Sequence, residues 1–235
     1  MSPALSVVAT VVVLALTATA CAGADQRPGP AADGWNSPAS ATGVLRTLPA
    51  RLERDGVTIT VGDPTAAHTV HVYEEPRCPY CRRFEAVAGA KLAALAANGS
   101  VKIRYTIASF LDDRRGDKGS ALAAAALRTA LDLGVFPEFR AALMASGPAR
   151  GVADCTAEFL TRVAEAVAGL RAKGFEAKLR SGVHDSWAAD SQRAFAASRA
   201  ATTPTVAVDG VVVRTDAVKY DLTAFTALLA EAGIR

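Results

Sequence analysis

The sequence predicts an α/β fold in which a β-sheet is interrupted by an all-helical insertion. Strand patterns occur in two parts of the 235-residue chain, residues 57–107 and residues 205–213. Between them, residues 117–200 are rich in Ala and Leu and show helical rather than alternating patterns. The two parts of the sheet are therefore expected to come together around an inserted helical subdomain. With 51% apolar residues, the chain can form a substantial core.

The first part of the predicted sheet domain covers residues 43–116. Apolar residues at helical spacing predict a short amphipathic helix over residues 43–54. Further along, apolar residues alternate with Lys102, Arg104 and Thr106, which predicts a strand with one buried face. The full set of other elements expected here comprises strands over 57–61, 69–73 and 101–107, a helix over 82–97 and a charged loop over 112–117.

Residues 201–235 are predicted to complete the sheet domain. Two short apolar runs, 205–208 and 211–213, flank an Asp-Gly dipeptide that favours the tight turn of a β-hairpin. Apolar residues at helical spacing then predict a closing helix near the C-terminus. The hairpin and this helix are expected to finish the sheet that the first part begins.

The N-terminus has the features of an exported protein. Residues 4–20 contain no charged side chain and end in small residues, so residues 1–21 are predicted to be a secretory signal peptide. Small residues before Cys21 resemble a bacterial lipoprotein cleavage site, where the cysteine becomes lipidated; plain cleavage without lipidation is the alternative. Residues 22–42 are rich in Pro, Gly, Ala, Asp and Ser and are expected to form a flexible tether. The sequence therefore predicts an extracytoplasmic protein, lipid-anchored to the outer face of the cell membrane.

One motif indicates a chemistry. Cys78-Pro79-Tyr80-Cys81 follows a predicted strand and opens a predicted helix. Two thiols at this spacing can form and open a small disulfide, and a C-x-x-C in this position is typical of a thioredoxin-type redox site. Cys155, remote from the motif in sequence, is expected to be an inert, buried thiol.

Charge and motif content argue against other classes of protein. The net charge of +3 arises from many charges of both signs, and no basic run contains aromatic residues, so no nucleic-acid partner is expected. No second C-x-x-C and no H-x-x-x-H is present to complete a zinc site. We therefore expect no metal, and no cofactor other than a redox-active disulfide.

Over roughly residues 45–234, the chain resembles the DsbA-like branch of the thioredoxin superfamily. The resemblance rests on the C-x-x-C motif with its preceding residues, on Gly62–Ala66 before the central strand, on residues 124–139, and on Thr203-Pro204 before the hairpin. It implies a thioredoxin fold with an inserted all-helical subdomain. It also implies an enzyme that exchanges disulfides with secreted or envelope proteins, most simply as an oxidase that a membrane redox partner recycles.

The resemblance also implies roles at the C-x-x-C motif. Cys78 is the sulfur that exchanges with the substrate, and Cys81 is the resolving thiol. Pro79, Tyr80 and Glu75 are expected to tune the redox chemistry. Pro79 suits the first turn of a helix, where no N–H is needed, and a thiolate at a helix start faces unpaired N–H groups.

Two interpretations remain for the charged residues around the motif. Glu74 or Glu75 could relay a proton to or from Cys81, or both could form a solvated loop. Arg77, Arg82 and Arg83 could add positive potential, or their long side chains could be solvated. The sequence is compatible with a functional role and with a solvated position for each of these charged residues.

Thr203 and Pro204 are predicted to bind substrate. The resemblance implies a cis peptide bond between them, placed against Cys78, and a backbone that pairs with the substrate peptide. The direction of exchange remains open because Tyr80 stands where the strongest oxidants of the family have His. Disulfide isomerase or reductase activity is therefore an alternative, as is a non-catalytic thioredoxin-fold binding lipoprotein; a metal-carrying role is a third.

Overall fold

The computed structural model describes residues 43–146, 155–170 and 173–235, so Cys21, the predicted signal peptide and the predicted tether lie outside the described residues. The strands in this part of the chain are β1 Ala50–Leu52, β2 Ile59–Val61, β3 His68–Glu74, β4 Val101–Ile107, β5 Thr205–Val208 and β6 Val211–Val212. They form one mixed sheet with the order β1-β2-β4-β3-β5-β6. The neighbours β3 and β4 are parallel, and every other neighbouring pair of this sheet is antiparallel.

Helices connect and cover this sheet. After a helical turn at residues 43–45, they are α1 Pro79–Ala97, α2 Leu111–Arg115, α3 Gly119–Asp132, α4 Phe136–Ala145, α5 Ala157–Glu165, α6 Phe175–Arg180, α7 Asp185–Ala197, α8 Asp216–Lys219 and α9 Leu222–Glu231. α1 makes the crossover between the parallel strands β3 and β4, as such a connection requires. Helices α2 to α7 all lie between β4 and β5 in the chain. The predicted fold class, a sheet with helices inserted between its two parts, is confirmed.

Aromatic contacts join the helices to each other and to the sheet. Phe84 of α1 meets Phe225 of α9 edge-to-face, with ring centroids 5.6 Å apart. Tyr105 of β4 packs against Phe136 of α4 at 5.7 Å. All four side chains are buried, and edge-to-face or tilted rings at these distances stabilise a core beyond simple burial. The inserted helices therefore share one core with the sheet.

The end of β4 is tied to α7 by side-chain hydrogen bonds. The Ser191 hydroxyl donates to the Ile107 carbonyl oxygen at 2.8 Å and accepts from the Ile107 N–H at 3.2 Å. The Gln192 side-chain oxygen accepts from the Ser109 N–H at 2.6 Å. These contacts satisfy backbone groups at the end of β4 that lie beyond the end of its neighbour β2, and they fix α7 against the sheet.

The predicted helix over residues 43–54 is wrong. Only residues 43–45 are helical, and Ala50–Leu52 forms the edge strand β1, in which Arg51 lies opposite Thr60 of β2. The reason is Pro49, because proline has no N–H to donate and it disfavours helical angles in the residue before it. The apolar residues at helical spacing therefore belong to two different elements.

The predicted loop over residues 112–117 contains a short helix. Leu111–Arg115 forms α2, which ends at Gly116 with a left-handed φ of 70°. Asp112 and Asp113 lie in its first turn and two arginines in its last, an arrangement that suits the helix dipole. The charged residues that suggested a loop therefore lie at the two ends of a short helix, where each sign of charge is favourable.

The hairpin and the strand at 101–107 match the prediction. β4 has the predicted bounds, with its odd-numbered residues buried. In the hairpin, Asp209 and Gly210 both have positive φ, 47° and 83°, as a two-residue turn between strands requires. The Asp209 carboxylate also accepts from the Thr69 N–H at 2.7 Å, which attaches the turn to β3. Among the described residues, no helix is both long and apolar enough to cross a bilayer.

Candidate active site

The Cys78–Cys81 pair lies at the junction between β3 and α1. Cys78 precedes the helix with extended backbone angles (φ −72°, ψ 121°), and Pro79 is the first helical residue. Proline suits this position because no intrahelical hydrogen bond is lost there. Both thiols are free and buried, with 7% of Cys78 and 2% of Cys81 exposed. The pair is therefore in the dithiol form, and Cys78 is the more accessible of the two cysteines.

The two thiols differ strongly in acidity. The pKa of Cys78 is lowered to about 6, chiefly by a hydrogen bond with the Cys81 thiol and also by the N–H groups of Tyr80 and Cys81 at the helix start, which outweigh burial. Burial raises the pKa of Cys81, and the neighbouring Cys78 thiolate raises it further. At neutral pH, Cys78 is therefore a thiolate and Cys81 holds the proton that stabilises it.

We expect the Cys78 thiolate to titrate with a midpoint near pH 6 when its ultraviolet absorbance is followed in the reduced protein. The ordinary pKa is 9.0, so the depressed value stabilises the folded reduced protein fully above pH 9. This stabilisation is lost as the pH falls through about 6. A Cys78→Ser protein should lack both the absorbance step and this part of the pH dependence. A midpoint that stays near 9 would contradict the assigned acidity.

The loop before β5 forms the wall opposite the helix start. The peptide bond between Thr203 and Pro204 is cis, as the resemblance implies. The Cys78 sulfur lies 3.4 Å from the Thr203 carbonyl oxygen, to which it donates a hydrogen bond when it is protonated. The Thr203 hydroxyl is buried and has no hydrogen-bond partner within the described residues. Folding therefore places Thr203 against Cys78, although 125 positions separate them in the chain.

Lys219 supports this loop and was not predicted from the sequence. Its side chain is buried, and Nζ donates to the Pro204 carbonyl oxygen at 3.2 Å and pairs with Asp216 at 3.0 Å. A lysine in a short helix near the C-terminus has the appearance of a solvated residue. Its role becomes visible only when α8 folds back beside the loop that contains Pro204.

A groove of about 500 Å³ opens beside Cys78. The stacked rings of Phe110 and Phe195, with centroids 5.6 Å apart, contribute to its apolar lining. Arg114 lies over the Phe110 ring at 5.3 Å and brings a charge to the same groove. An apolar groove with a few charged groups, next to a reactive sulfur, can hold an extended peptide during exchange.

Tyr80 extends the surface beside Cys78. Its side chain is 58% exposed, and its ring centroid lies 6.4 Å from that of Tyr220. The Arg83 guanidinium covers the Tyr220 ring at 4.6 Å. The surface around the exchanging sulfur is therefore aromatic and cationic on this side, and Tyr220 is a second residue there that the sequence did not indicate.

Glu74 is not solvated. It is buried, and Arg140 donates to both of its carboxylate oxygens, at 2.8 and 2.6 Å. The same guanidinium donates to Glu85 at 2.7 Å and lies over the Tyr105 ring at 4.2 Å. Since Arg140 occupies both oxygens of Glu74, this residue is a poor candidate for a proton relay. Its ion pair instead ties β3 to α4.

Glu75 is also buried, and it is the glutamate that touches the site. Its N–H donates to the Cys81 sulfur at 3.5 Å, and its Oε2 accepts from the Arg77 N–H at 2.7 Å. Oε1 has no hydrogen-bond partner within the described residues. Burial raises the pKa of Glu75 to about 7. The solvated interpretation is therefore wrong. The charge of Glu74 acts on Cys81, whereas Glu75 has the carboxyl oxygen that no hydrogen bond within the described residues occupies.

The arginines beside the motif have different environments. Arg77 is buried and donates to Asp112 at 3.1 Å and to Asp117 at 2.5 and 2.8 Å. Arg82 is buried as well and donates to a carbonyl oxygen of α4 at 3.3 Å. The solvated interpretation is therefore wrong for both, whereas Arg83 is exposed. Because two aspartates compensate Arg77, its charge adds little positive potential at the thiols.

Cys155 is buried, and burial raises its pKa to about 12. A thiol of this acidity is protonated at neutral pH and unreactive, in agreement with the expected inert role. Over residues 43–146, 155–170 and 173–235, no group of three or more His, Cys, Asp or Glu side chains is placed to hold a metal ion.

Comparisons with known proteins agree with this arrangement. A sequence model of the family described as Thioredoxin matches residues 54–226, which include the Cys78–Cys81 pair, the inserted helices and Pro204. None of the curated proteins matches the chain.

Several solved structures are similar to the chain. Reduced DsbG, a disulfide bond oxidoreductase from Mycobacterium tuberculosis, is 27% identical with a TM-score of 0.57, over 72% of this chain and 81% of that one. Oxidised DsbA from the same organism is 25% identical with a TM-score of 0.58, over 80% and 92%. Oxidised BdbD from Bacillus subtilis is 20% identical with a TM-score of 0.64, over 78% and 96%. The last of these shows likeness of fold alone.

Proposed function

Because the chain belongs to the thioredoxin family, as a DsbA-like thiol–disulfide oxidoreductase, we propose that it oxidises secreted or envelope proteins through the Cys78–Cys81 pair. The observation that carries the proposal is the contrast between the two sulfurs. Cys78 is acidic, lies at the helix start and faces Thr203, whereas Cys81 is buried and keeps its proton. This contrast assigns the exchanging sulfur to Cys78 and the resolving sulfur to Cys81.

Oxidation of a substrate dithiol proceeds in two exchanges. A substrate thiolate attacks Cys78 Sγ in the enzyme disulfide, forms a mixed disulfide and releases the Cys81 sulfur, which takes up a proton. A second substrate thiolate then attacks the substrate sulfur of the mixed disulfide and releases Cys78 as a thiolate. Two electrons pass from the substrate dithiol to the enzyme, which ends with Cys78 as a thiolate and Cys81 as a thiol.

The acidity of Cys78 supports this direction. A sulfur with a low pKa is a good leaving group, and its stable thiolate favours the reduced enzyme over its disulfide. A disulfide that is easily reduced tends to oxidise its partner. Tyr80 lies beside Cys78, where stronger oxidants have His, and is proposed to make the disulfide less oxidising than theirs. Pro79 is proposed to preserve the helix start, on which the low pKa of Cys78 depends.

Glu75 is proposed to exchange the proton of Cys81. Its backbone contacts the Cys81 sulfur, its carboxyl group is buried, and its pKa near 7 lets it give or take a proton at neutral pH. When Cys81 is released from the disulfide, protonated Glu75 would donate the proton that this sulfur takes up. When the dithiol is reoxidised, ionised Glu75 can accept the same proton.

The substrate is proposed to be an extended segment of an unfolded or partly folded protein. The groove beside Cys78 accommodates apolar side chains, and the cis loop presents the Thr203 and Pro204 backbone at the reactive sulfur. Hydrogen bonds between the backbone of this loop and the backbone of the substrate would accommodate many substrate sequences, since they use main-chain groups alone. Breadth of substrate choice is what an oxidase of newly exported proteins needs.

The N-terminal sequence supports a location for the protein outside the cytosol. The uncharged run before Cys21 and the polar stretch after it support export, lipidation of Cys21 and a tether over residues 22–42. Disulfides persist outside the cytosol, where such an enzyme would act. A membrane redox partner is proposed to return the dithiol to the disulfide.

The proposed domain bounds are 43–116 and 201–235 for the sheet domain and 117–200 for the insertion.

The proposal predicts an oxidising reduction potential. Equilibration of the Cys78–Cys81 pair with glutathione buffers should give a value of about −120 to −180 mV, whereas a reductase of the thioredoxin type lies near about −270 mV. A Cys155→Ser protein, which alters the inert thiol alone, should give the wild-type value. A potential near the reductase value would replace the oxidase with a reductase, and a protein that never forms the disulfide would favour a binding role.

A further inference from the structure

Besides the Thr203 hydroxyl, two buried oxygens beside the active site lack hydrogen-bond partners of standard geometry within the described residues. They are Oε1 of Glu75 and Oγ of Ser120, and both residues are 0% exposed. Unsatisfied buried polar atoms are rare in native proteins and destabilise the fold, so each one needs a reason. The two oxygens are related, because the Ser120 hydroxyl lowers the pKa of Glu75 while burial raises it. An acceptor without a donor and a donor without an acceptor therefore lie together.

Ser120 is held firmly in this position. It is the second residue of α3, and the Asp112 carboxylate accepts from the N–H groups of Ser120 and Ala121 at 2.6 and 2.9 Å. Asp112 also accepts from the Arg77 guanidinium at 3.1 Å. One carboxylate therefore fixes the start of α3 and the loop that contains Glu75 relative to each other.

Gly119 permits this close approach. A Cβ at residue 119 would lie 2.7 Å from Nη1 of Arg77, an atom that two aspartates hold in place. Any larger residue would push α3 away from the active-site loop. The chain therefore has glycine where the insertion comes nearest to the loop, followed directly by the buried hydroxyl of Ser120.

We propose that Ser120 is a positioning residue of the exchange reaction, whose hydroxyl partners the free oxygen of Glu75 and sets how firmly that carboxyl group holds the proton used by Cys81. The inference rests on the proposed function of Glu75. A hydroxyl suits both states of the carboxyl group, because it donates to the ionised form and accepts from the protonated form. The inserted helices would then take part in the chemistry as well as in the fold.

Other charged or titratable groups around Glu75 are already engaged. Cys78 at the start of α1 and Arg77 from the same loop act on the carboxyl group, Cys81 contacts the Glu75 N–H, and Cys155 lies near enough to be affected by the charge of Glu75. Arg77 is compensated by Asp112 and Asp117, and Cys155 is uncharged at neutral pH. The neutral hydroxyl of Ser120 is therefore the group suited to adjust the carboxyl group without adding charge.

The test is the pH dependence of reduction of the oxidised, full-length protein by dithiothreitol. Each rate is divided by the concentration of dithiothreitol thiolate, so that the remaining pH dependence belongs to the protein. In the wild type, the corrected rate should fall as the pH rises through about 7, because departing Cys81 loses its proton donor. In Ser120→Ala, the ionised carboxylate lacks its hydrogen-bond donor, so the fall should move upward by about one pH unit. Alanine favours helix, so α3 should remain folded.

Two variants separate this effect from a general disturbance. Thr129→Val removes another buried hydroxyl of α3, one that donates to a backbone carbonyl at 2.9 Å, and should keep the wild-type midpoint. Glu75→Gln should abolish the fall, and adding Ser120→Ala to it should change nothing more.

The outcomes distinguish the two proposals. If the fall is absent from the wild type or persists in Glu75→Gln, the proposed role of Glu75 fails, and the role of Ser120 fails with it. If Glu75→Gln abolishes the fall but Ser120→Ala keeps the wild-type midpoint, Glu75 retains its role and the inference about Ser120 is overturned. An equal shift in Thr129→Val, or a shift by Ser120→Ala that persists in Glu75→Gln, also overturns it.

Discussion

A Cys78→Ser protein is expected to lose disulfide transfer to a reduced, unfolded substrate, with a rate reduction of about 10⁴-fold or more. A serine hydroxyl forms no disulfide, so neither the enzyme disulfide nor the mixed disulfide can exist. The measurement is the loss of free thiols from the substrate, followed by quenched alkylation. The same substitution should leave the fold intact, because Cys78 precedes α1 and serine is close to cysteine in size.

The Cys81→Ala protein gives the complementary result. It keeps the exchanging sulfur but has lost the thiol that can return a mixed disulfide to the enzyme disulfide. When its Cys78 is first loaded as a disulfide with glutathione, the thiolate of a single-cysteine substrate should displace glutathione and remain covalently bound. Cys155→Ser is the matched control, since it removes a buried thiol that is unreactive at neutral pH, and it should oxidise substrate at the wild-type rate. Wild-type oxidation by Cys78→Ser would show that the activity lies elsewhere in the chain.

Replacement of Arg140 by methionine should cost about 3–5 kcal/mol of unfolding free energy. Its guanidinium is 5% exposed and lies between the carboxylates of Glu74 and Glu85, which are 1% and 15% exposed. Methionine fills similar space but leaves two buried negative charges without a cation. Urea denaturation of the purified protein measures the loss. The loss should shrink at acidic pH, where Glu74, whose pKa burial raises, takes up a proton.

The control for Arg140 is Arg128→Met. Arg128 pairs with Asp132 one turn further along α3, where both side chains are partly exposed, and such pairs contribute about 1 kcal/mol or less. Adding Glu74→Gln and Glu85→Gln to Arg140→Met should recover part of the stability, because the uncompensated charges are then removed. If Arg140→Met costs no more than Arg128→Met, the buried ion pairs do not hold β3 to α4 in the way proposed.

Features with local causes were predictable from the sequence. The alternation over 101–107 gave β4 with its correct bounds, and the Asp-Gly dipeptide gave the hairpin between β5 and β6. The C-x-x-C motif gave the position of the two thiols at a helix start. In each case the determining residues are neighbours in the chain, so their pattern can be read without knowing the fold.

The environments of the charged residues were not predictable in this way. Glu74 and Arg77 look like solvated residues beside a surface motif, yet each is buried by a partner from far along the chain, Arg140 and Asp112 respectively. Lys219 is hidden for the same reason. Whether a charged side chain is buried depends on which distant element supplies the opposite charge. The neighbouring residues in the sequence do not indicate which element that is. The misplaced helix over 43–54 has a different cause, because helical spacing was given more weight than Pro49.

The contact between Cys78 and the Thr203 carbonyl has a consequence for synthesis and export. A chain that emerges from its N-terminus presents Cys78 125 residues before Thr203, which lies in the loop that forms the wall opposite the thiols. Helix α1, which makes Cys78 acidic, depends on local contacts, whereas the docking of β5 against β3 closes a long stretch of chain and is the slower kind of event. A truncated chain that stops before residue 203 would therefore carry the thiols without the surface that is proposed to bind their substrates. The residues that make Cys78 acidic are thus translated early, and those proposed to select its substrates are translated late.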